Sequence, residues 1–427
     1  MQKYIKAEMW DKMQYLFRNY YDRMIHMAFY YKGNVDFNVF KEAVGEMFEQ
    51  VPILHSAYIN NFIKPYWVVR KYDIDDTVFY IESEDIQNEV DRFLTQTIKA
   101  TSNVQMKILV INSKIQTAIC VLFNHMCFDG GDGKKIIATL FANYNAKKSG
   151  GAPILYRTGR RDFRQVYDKF NDEDKKVTQK LYKNISSVEN KNRFPLTKSS
   201  KEDKNKIHYL RLPKELVSQL KAKGKENAAT LNDLFLGLYI HSLYNLGIDP
   251  SSKITIPCMV DLRRHIPDNG ENGGYCNHTG FMLVDVPNKS ESLLETLEKV
   301  KLSTAKNKKD KYLGLYGLPL LNLAYTIFPH FISEIAIKIG YTNPLMGMSN
   351  VGELKEELYT LVDTELLDAF VTGATKYKPY MQLAMTSCKG NLTLTVAVRC
   401  NDKDSEIINF FLSDIERSIK DYVTQAQ

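Results

Sequence analysis

The sequence is poor in cysteine and has no closely spaced cysteine pair. Six cysteines are spread over 427 residues, and none belongs to a Cys-x-x-Cys pair. A disulfide framework or a structural zinc site needs such clusters. The cysteines are therefore predicted to be free thiols, and no metal site is expected.

Long hydrophobic runs are also missing. The first 20 residues carry charges throughout, and the most apolar segment, residues 313–332, is interrupted by Pro319, Asn322, Pro329 and His330. We therefore expect no signal peptide, transmembrane segment or lipidation signal, and a cytoplasmic location. The apolar segment is predicted to form a buried or pocket-lining helix pair rather than a membrane contact.

Neither sign of charge is in large excess. The chain has 57 Lys and Arg against 50 Asp and Glu, a net charge of +7, and its lysines are scattered or lie in loops. A nucleic-acid partner is not expected, because such surfaces cluster their cations. The length suits two domains. A charged stretch rich in Lys, Asp, Glu and Asn suggests a division into residues 1–165, a connector at 166–206, and residues 207–427.

The apolar patterns predict a chain of mixed strands and helices. Each half contains a hairpin whose last strand leads through a short loop into an amphipathic helix, which suggests a degenerate duplication with one functional site. Asp36 and Thr230 are predicted helix N-caps. A run of small residues at 346–352 is predicted to be a turn. The two predicted hairpins cover residues 106–111 with 115–123, and residues 382–387 with 392–398.

The loop at residues 124–133 contains the candidate site. It follows an apolar strand and precedes apolar residues at helical spacing, from Lys134 to Tyr144. Its glycines, Gly130, Gly131 and Gly133, predict tight, left-handed or close-approach loop conformations. His125 and Asp129 therefore lie where a strand ends, a common position for catalytic groups.

Several roles are open to His125 and Asp129. They could be a structural histidine and a helix cap. A zinc site would need more ligands than the one His, one Asp and one Cys that the loop offers. The sequence around Ser349 lacks the last glycine of a nucleophile elbow, and the segment before Lys134 lacks the spacing of a phosphate-binding loop.

The catalytic alternative makes His125 a general base. Imidazole has an ordinary pKa of about 6.5 and can accept a proton from a hydroxyl or an amine near neutral pH. A buried Asp129 would then need a cation, and arginine pairs best with a carboxylate. Arg263 and Arg264, at the end of a strand in the other half, are the candidates.

Three further motifs follow the histidine loop in order. Asp261-Leu262-Arg263, Gly274-Tyr275-Cys276-Asn277 and Ser349-Asn350-Val351-Gly352 appear after His125-x-x-x-Asp129-Gly130. Together they resemble the HHxxxDG acyltransferase superfamily, which includes nonribosomal-peptide condensation domains and chloramphenicol acetyltransferase. The resemblance extends over nearly the whole chain and suits a stand-alone condensation-domain-like protein.

The resemblance implies an α+β fold of two chloramphenicol-acetyltransferase-like lobes in a V-shaped pseudo-dimer, with a tunnel between them. It makes His125 the general base, and it makes Asp129 a structural partner of Arg263. It implies that Gly130 leaves room for a thioester arm. It also places Asn124, Ser349 and Asn350 as substrate-binding residues.

The implied function is acyl transfer to an alcohol or amine, a small-molecule acceptor. The donor would be acyl-CoA or a phosphopantetheine-linked acyl group on a carrier protein, acting as substrate, with no bound cofactor. Two positions depart from the family pattern, since Asn124 replaces the first histidine and Asp132 stands where serine is frequent. A non-catalytic module that binds a carrier protein or partner is therefore the alternative. The Asp-Phe-Gly-Trp-Gly loop of the BAHD branch is missing.

Overall fold

The computed structural model describes residues 3–180 and 192–424. The first part of the chain forms these elements: β1 (Tyr4–Lys6), α1 (Met9–Leu16), β2 (Met24–Lys32), α2 (Phe37–Gln50), β3 (Ser56–Ile59), β4 (Tyr66–Val69), β5 (Val78–Glu82), α3 (Ile86–Leu94), β6 (Met106–Asn112), β7 (Gln116–Asn124) and α4 (Gly130–Ser149).

The predicted connector includes one short described helix, α5 (Asp172–Thr178), and part of it lies outside the described residues. After it come these elements: β8 (Lys204–Leu212), α6 (Lys214–Glu226), α7 (Leu231–Asn245), β9 (Ile254–Asp261), β10 (Thr279–Val286), α8 (Leu293–Lys308), α9 (Leu318–Ile327), α10 (His330–Gly340), β11 (Met346–Leu354), α11 (Glu356–Tyr359), β12 (Glu365–Thr372), β13 (Lys376–Tyr377), β14 (Met381–Cys388), β15 (Asn391–Cys400) and α12 (Asp402–Thr424).

Two large sheets form the centre of the molecule, which confirms the α+β class. The first sheet has the strand order β12-β2-β7-β6-β5, and the second has the order β10-β9-β11-β14-β15-β13, with β8 paired to β15. A small third sheet has the order β1-β4-β3. Both predicted hairpins, β6–β7 and β14–β15, are antiparallel pairs, as expected for strands joined by short turns.

Each large sheet has its own hydrophobic core. In the first core, α2 and α4 cover one face of the sheet, with side chains such as Phe40 and Phe141 packed against β2. In the second core, α7 and α12 cover β14 and β15 through residues such as Phe235 and Phe411. Two cores separated in this way define two lobes.

Two of the predicted helix caps are confirmed. The Asp36 side chain accepts a hydrogen bond from the Val39 amide at the start of α2. Thr230 accepts one from the Asp233 amide at the start of α7, and the Asp233 carboxylate accepts one in return from the Thr230 amide. Short polar side chains satisfy the free N–H groups of a first turn, so the local sequence was sufficient to locate these ends.

The predicted turn at residues 346–352 is wrong. These residues belong to β11, which runs parallel to β14 and has a bulge between Asn350 and Gly352. Small residues suggested a turn, but the pairing of β11 depends on β14, which begins 35 residues after the start of β11 and follows β12 and β13. Gly352 adopts a φ of +81° at the irregularity, which a glycine tolerates.

The strand β12 was not predicted, and it joins the two lobes. It pairs antiparallel with β2, so that Ala369 lies opposite Phe29 at the edge of the first sheet. The proposed division of the chain at residues 165 and 207 stays a prediction. The first sheet contains strands from both sides of that division. A strand from the second half of the chain completes the first lobe.

The apolar segment forms the predicted pair of helices, α9 and α10, but one face of the pair is not buried. Ile327, Ile335 and Ile339 are 62%, 54% and 83% exposed. The expectation of a buried or pocket-lining pair is therefore wrong for this face. Within the described residues, no helix is both long and apolar enough to cross a bilayer.

Candidate active site

The histidine loop joins β7 to α4 at the junction of the two lobes. Helix α4 begins at Gly130, four residues before the predicted start, because Asp129 caps it by accepting a hydrogen bond from the Asp132 amide at 3.0 Å. The glycines of this segment are therefore helical. Of the expected conformations the left-handed one is wrong, whereas the close approach is confirmed for Gly131 and Gly133. The tight turn is limited to residues 125–128, between the end of the strand and the cap.

Close approach of distant side chains explains two of these glycines. A Cβ atom at position 131 would lie 2.8 Å from Nη1 of Arg263, and one at position 133 would lie 2.4 Å from Cζ of Phe123. Such contacts are too short for carbon atoms, so a side chain at either position would displace its neighbour. At Gly130 the nearest atom to such a Cβ is Cγ1 of Val351, at 3.9 Å.

The His125 ring is held by an amide from the other lobe. Its Nδ1 lies 2.9 Å from Oδ1 of Asn277, which precedes β10. The Asn277 Nδ2 atom donates to the backbone oxygen of His125 at 2.9 Å, and this bond fixes which end of the amide faces the ring. Since Oδ1 can only accept, Nδ1 carries the proton in the neutral ring and Nε2 is left with its lone pair.

The environment of His125 favours the neutral ring. The residue is half-buried, and burial lowers the pKa of its imidazole below the ordinary 6.5, although the charge of Asp129 and the Asn277 hydrogen bond act in the opposite direction. Nε2 has no hydrogen-bond partner among the described residues. A neutral imidazole with an unpartnered Nε2 can accept a proton at neutral pH.

The predicted ion pair between Asp129 and Arg263 is present. The guanidinium donates from Nη1 to Oδ2 at 3.1 Å and from Nη2 to Oδ1 at 2.9 Å, and both groups are buried. The His278 amide also donates to Asp129 Oδ2, at 2.7 Å. Burial alone would raise the pKa of the Asp129 carboxyl, but Arg263 and the His278 amide hold it well below its usual range.

Asp132 is a second carboxylate of this network, and sequence reasoning treated it only as a departure from the family pattern. Its Oδ2 lies 3.0 Å from Nη2 of Arg263 and accepts a hydrogen bond from the Cys276 amide at 2.8 Å. Its Oδ1 accepts from Arg157. Its position in the first turn of α4, next to a predicted cap, was the available signal.

Asn124 lies beside His125 but is fully buried. Its Nδ2 donates to Oε1 of Gln105 at 2.9 Å, and its Oδ1 accepts from the Met126 amide at 3.1 Å. Both polar ends of the side chain are thus used inside the protein. This geometry gives the predicted substrate-binding role of Asn124 no support; the side chain instead holds the turn that presents His125.

The remaining candidates lie on different elements. Ser349 and Asn350 are on β11, where Asn350 is exposed and its Oδ1 accepts from the Gly352 amide at 2.9 Å. In the described part of the chain, no hydrogen bond joins either residue to His125, so their substrate-binding roles stay predictions. Cys127 is buried and its thiol pKa is raised by burial, which makes it a poor nucleophile.

A basic cleft adjoins the network at the start of α4. It has a volume of about 470 Å³, and five cations and two carboxylates line it: Lys134, Lys135, Arg263, Arg264, Lys355, Asp261 and Glu353. The cations are in excess, so the cleft suits an anionic group. Among residues 3–180 and 192–424, no cluster of His, Cys, Asp and Glu side chains could hold a metal ion.

The fold has solved counterparts of full length. It is similar to polyketide synthase associated protein 5 from Mycobacterium tuberculosis, with 15% identity, 98% of each chain covered and a TM-score of 0.69. It is also similar to TRI3 trichothecene 15-O-acetyltransferase from Fusarium sporotrichioides, with 11% identity, 97% of this chain and 95% of that chain covered, and a TM-score of 0.72. The protein therefore has the two-lobed fold of the condensation domains and chloramphenicol-acetyltransferase-like acyltransferases.

The first condensation domain of the CDA synthetase has the same fold, with 11% identity, 99% of this chain and 97% of that chain covered, and a TM-score of 0.70. The model of the condensation-domain family matches residues 11–318, more than half of the sequence. The chain belongs to the condensation-domain family. None of the curated proteins compared with it matches significantly.

Proposed function

We propose that this protein is an acyltransferase that moves an acyl group from a CoA or carrier-protein thioester to an alcohol or an amine. The observation that carries the proposal is the state of His125. Its ring lies at the lobe junction, Asn277 fixes the proton on Nδ1, and Nε2 has no partner among the described residues. Membership of the condensation-domain family supports acyl transfer as the reaction class.

The reaction needs one base and no covalent enzyme intermediate. Nε2 of His125 takes the proton from the acceptor O–H or N–H as the acceptor atom attacks the thioester carbonyl carbon. The C–S bond then breaks, and the departing sulfur takes that proton back from Nε2 and leaves as a thiol. Holding both substrates in the correct geometry supplies much of the remaining rate.

The basic cleft supports a donor that carries phosphate. Both CoA and a phosphopantetheine arm have phosphate groups, and Arg264 and Lys355 of the cleft are exposed. The cleft includes Gly131, which lies two residues after the Asp129 cap in the first turn of α4. We propose that it binds the anionic part of the donor, while Ser349 and Asn350 contact substrate beside it.

Thiol release tests the proposed function. Acyl-CoA, acyl-phosphopantetheine carrier proteins and acyl-pantetheine without phosphate are each incubated with the protein and pooled alcohols or amines. We expect thiol release that requires an added acceptor and is fastest with a phosphate-bearing donor. A donor that binds in calorimetry but releases no thiol with any acceptor would contradict catalysis and favour the non-catalytic module.

Replacing Asn277 with aspartate tests the control of the His125 ring. The added carboxylate would favour the protonated imidazole and raise its pKa. A general base must be neutral, so the acid limb of kcat/KM against pH should move upward, by about 1 unit. Asn277→Ala is the control, since it removes the contact without adding charge and should lower kcat without that upward movement. If the acid limb of the kcat/KM profile of Asn277→Asp is the same as that of wild type, Asn277 does not control the pKa of His125 and has only a structural role.

A further inference from the structure

The helix pair α9–α10 presents a continuous apolar surface together with the hairpin between β3 and β4. We call this surface the apolar face. Its large side chains are between 37% and 83% exposed, and they are Phe62, Ile63, Leu320, Leu323, Ile327, Phe328, Ile332, Ile335, Ile339 and Tyr341. They make up about half of the large exposed apolar side chains of the described chain, concentrated in one region. Scattered apolar residues need no explanation, but a contiguous patch marks a contact surface.

The inner side of the pair is firmly attached to the body of the protein. Tyr325 of α9 is buried and its hydroxyl contacts Sδ of Met13 at 3.7 Å. The Phe331 amide of α10 donates to the Phe62 oxygen at 3.2 Å, and the two rings stack with centroids 4.1 Å apart. The outward direction of the other side chains is therefore set by packing on the inner side.

The charged side chains nearest the apolar face, three lysines and two carboxylates, leave a small positive excess. Between residues 318 and 341 the sequence has one carboxylate, Glu334, and it is paired with His330 at 3.4 Å and Lys338 at 4.0 Å. Lys64 is exposed and directly follows Ile63 in the hairpin. Lys6 lies opposite Tyr66 in the β1–β4 pair, next to that hairpin; its side chain is 70% exposed, and its Nζ is paired with Glu8 at 3.2 Å.

The side chains at the centre of the apolar face have no hydrogen-bonding groups. Ile327, Phe328, Ile332, Ile335 and Ile339 are aliphatic or phenyl side chains without hydrogen-bonding atoms. A protein partner would ordinarily form about one hydrogen bond per 100–200 Å² of interface, so this composition does not favour one. Protruding apolar groups beside exposed lysines are the features of a segment that lies in the interface of an anionic bilayer.

We propose that the apolar face docks on the surface of an anionic lipid bilayer. The isoleucine and phenylalanine side chains enter the boundary between headgroups and acyl chains, and Lys6, Lys64 and Lys338 face the anionic headgroups. Neither helix is long enough to cross the hydrocarbon layer, so the protein lies on the membrane rather than in it.

Flotation of the full chain with vesicles tests this inference. Vesicles of phosphatidylcholine with 30% phosphatidylglycerol are compared with vesicles of pure phosphatidylcholine, using wild type, Ile335→Glu/Ile339→Glu and Ile115→Glu/Leu302→Glu. The last variant is the matched control, because Ile115 and Leu302 are 77% and 75% exposed but lie outside the face. We expect wild type and control to bind the anionic vesicles, and the face variant to bind at least tenfold more weakly.

Two further measurements complete the test. Lys64→Glu/Lys338→Glu should weaken binding to anionic vesicles, and added salt should weaken the binding of wild type, because both reduce the attraction between cations and headgroups. Wild type that does not float with the anionic vesicles, or equal losses in the face and control variants, would overturn the proposal. So would sedimentation showing that the face variant abolishes self-association while vesicle binding persists, since the face would then be a protein interface.

Discussion

Replacing His125 with alanine should lower kcat for acyl transfer by about 10²–10⁴-fold, the range that a positioned general base contributes. Alanine removes Nε2, the atom that takes the acceptor's proton in the proposed reaction. Some turnover should remain, because the substrates are still held together. The bond from Asn277 Nδ2 goes to the backbone oxygen of His125, so it survives the substitution, and the variant should fold.

His241→Ala is the matched control for this experiment. His241 is a half-buried histidine on α7, in the second lobe, and it takes no part in the Asn277 or Arg263 contacts. Initial rates of thiol release, with donor and acceptor saturating, should be close to wild type in this variant. Full turnover in His125→Ala, with a proven donor and acceptor, would eliminate the proposed base.

Replacing Asp129 with alanine should lower the free energy of unfolding by about 3 kcal/mol, because it leaves a buried guanidinium with fewer partners. Arg263 keeps Asp132 and Asp261 as partners, so we expect the lower end of the range for a broken buried pair. Loss of the N-cap of α4 contributes about 1 kcal/mol of this effect. Urea denaturation with a common m-value measures the change.

Two variants separate the charge of Asp129 from its cap. Asp129→Asn keeps a good cap acceptor and removes the charge. It should therefore lower the free energy of unfolding by most of the amount expected for Asp129→Ala. Asp261→Asn keeps the acceptor for the Arg263 amide and removes the charge of a carboxylate that also contacts Arg263 but is 60% exposed, so it should cost less than about 1 kcal/mol. If the Asp129 and Asp261 variants lose equal amounts of unfolding free energy, the buried Asp129–Arg263 pair makes no special contribution to stability.

The pH dependence of the same variants has a definite sign. The unfolded carboxyl titrates near about 3.9, and in the folded protein the pKa of Asp129 is held well below its usual range. The charge of Asp129 therefore stabilises the fold at pH values above the pKa of the unfolded chain. This contribution is lost as the pH falls through the lower pKa of the folded protein. The difference in unfolding free energy between wild type and Asp129→Asn should shrink in acid.

Local signals were sufficient for much of the fold. Apolar runs joined by short turns predicted the two hairpins, and Asp36 and Thr230 marked helix starts, because a cap depends on residues within one turn. The family resemblance, which rests on the order of the motifs, predicted the pairing of Asp129 with Arg263, although the two are 134 residues apart in the sequence. Composition could not show that one side of α9–α10 is exposed, since a buried helix has the same residues.

The features that the sequence analysis did not predict have a common physical cause. Each depends on contacts between segments that are far apart in the chain. Gly131 and Gly133 were placed in a loop. Their expected close approach to other groups is confirmed, but it is to Arg263 and Phe123 and occurs inside a helix. Asn277 was noticed only as part of a motif, because its role depends on the position of the His125 ring in the other lobe. The strand β12 pairs with a partner more than 300 residues earlier in the chain, and no local pattern reports such pairing.

The crossing of β12 limits how the protein can be divided. A fragment that ended within the connector would leave one edge of the first sheet open, with the backbone groups of β2 available for pairing with other chains. The complementary fragment would carry β12 without the strand that it completes. Halves expressed separately should aggregate, and their co-expression should restore one noncovalent complex. Because β12 links them, we expect the two lobes to unfold together, although each has its own core.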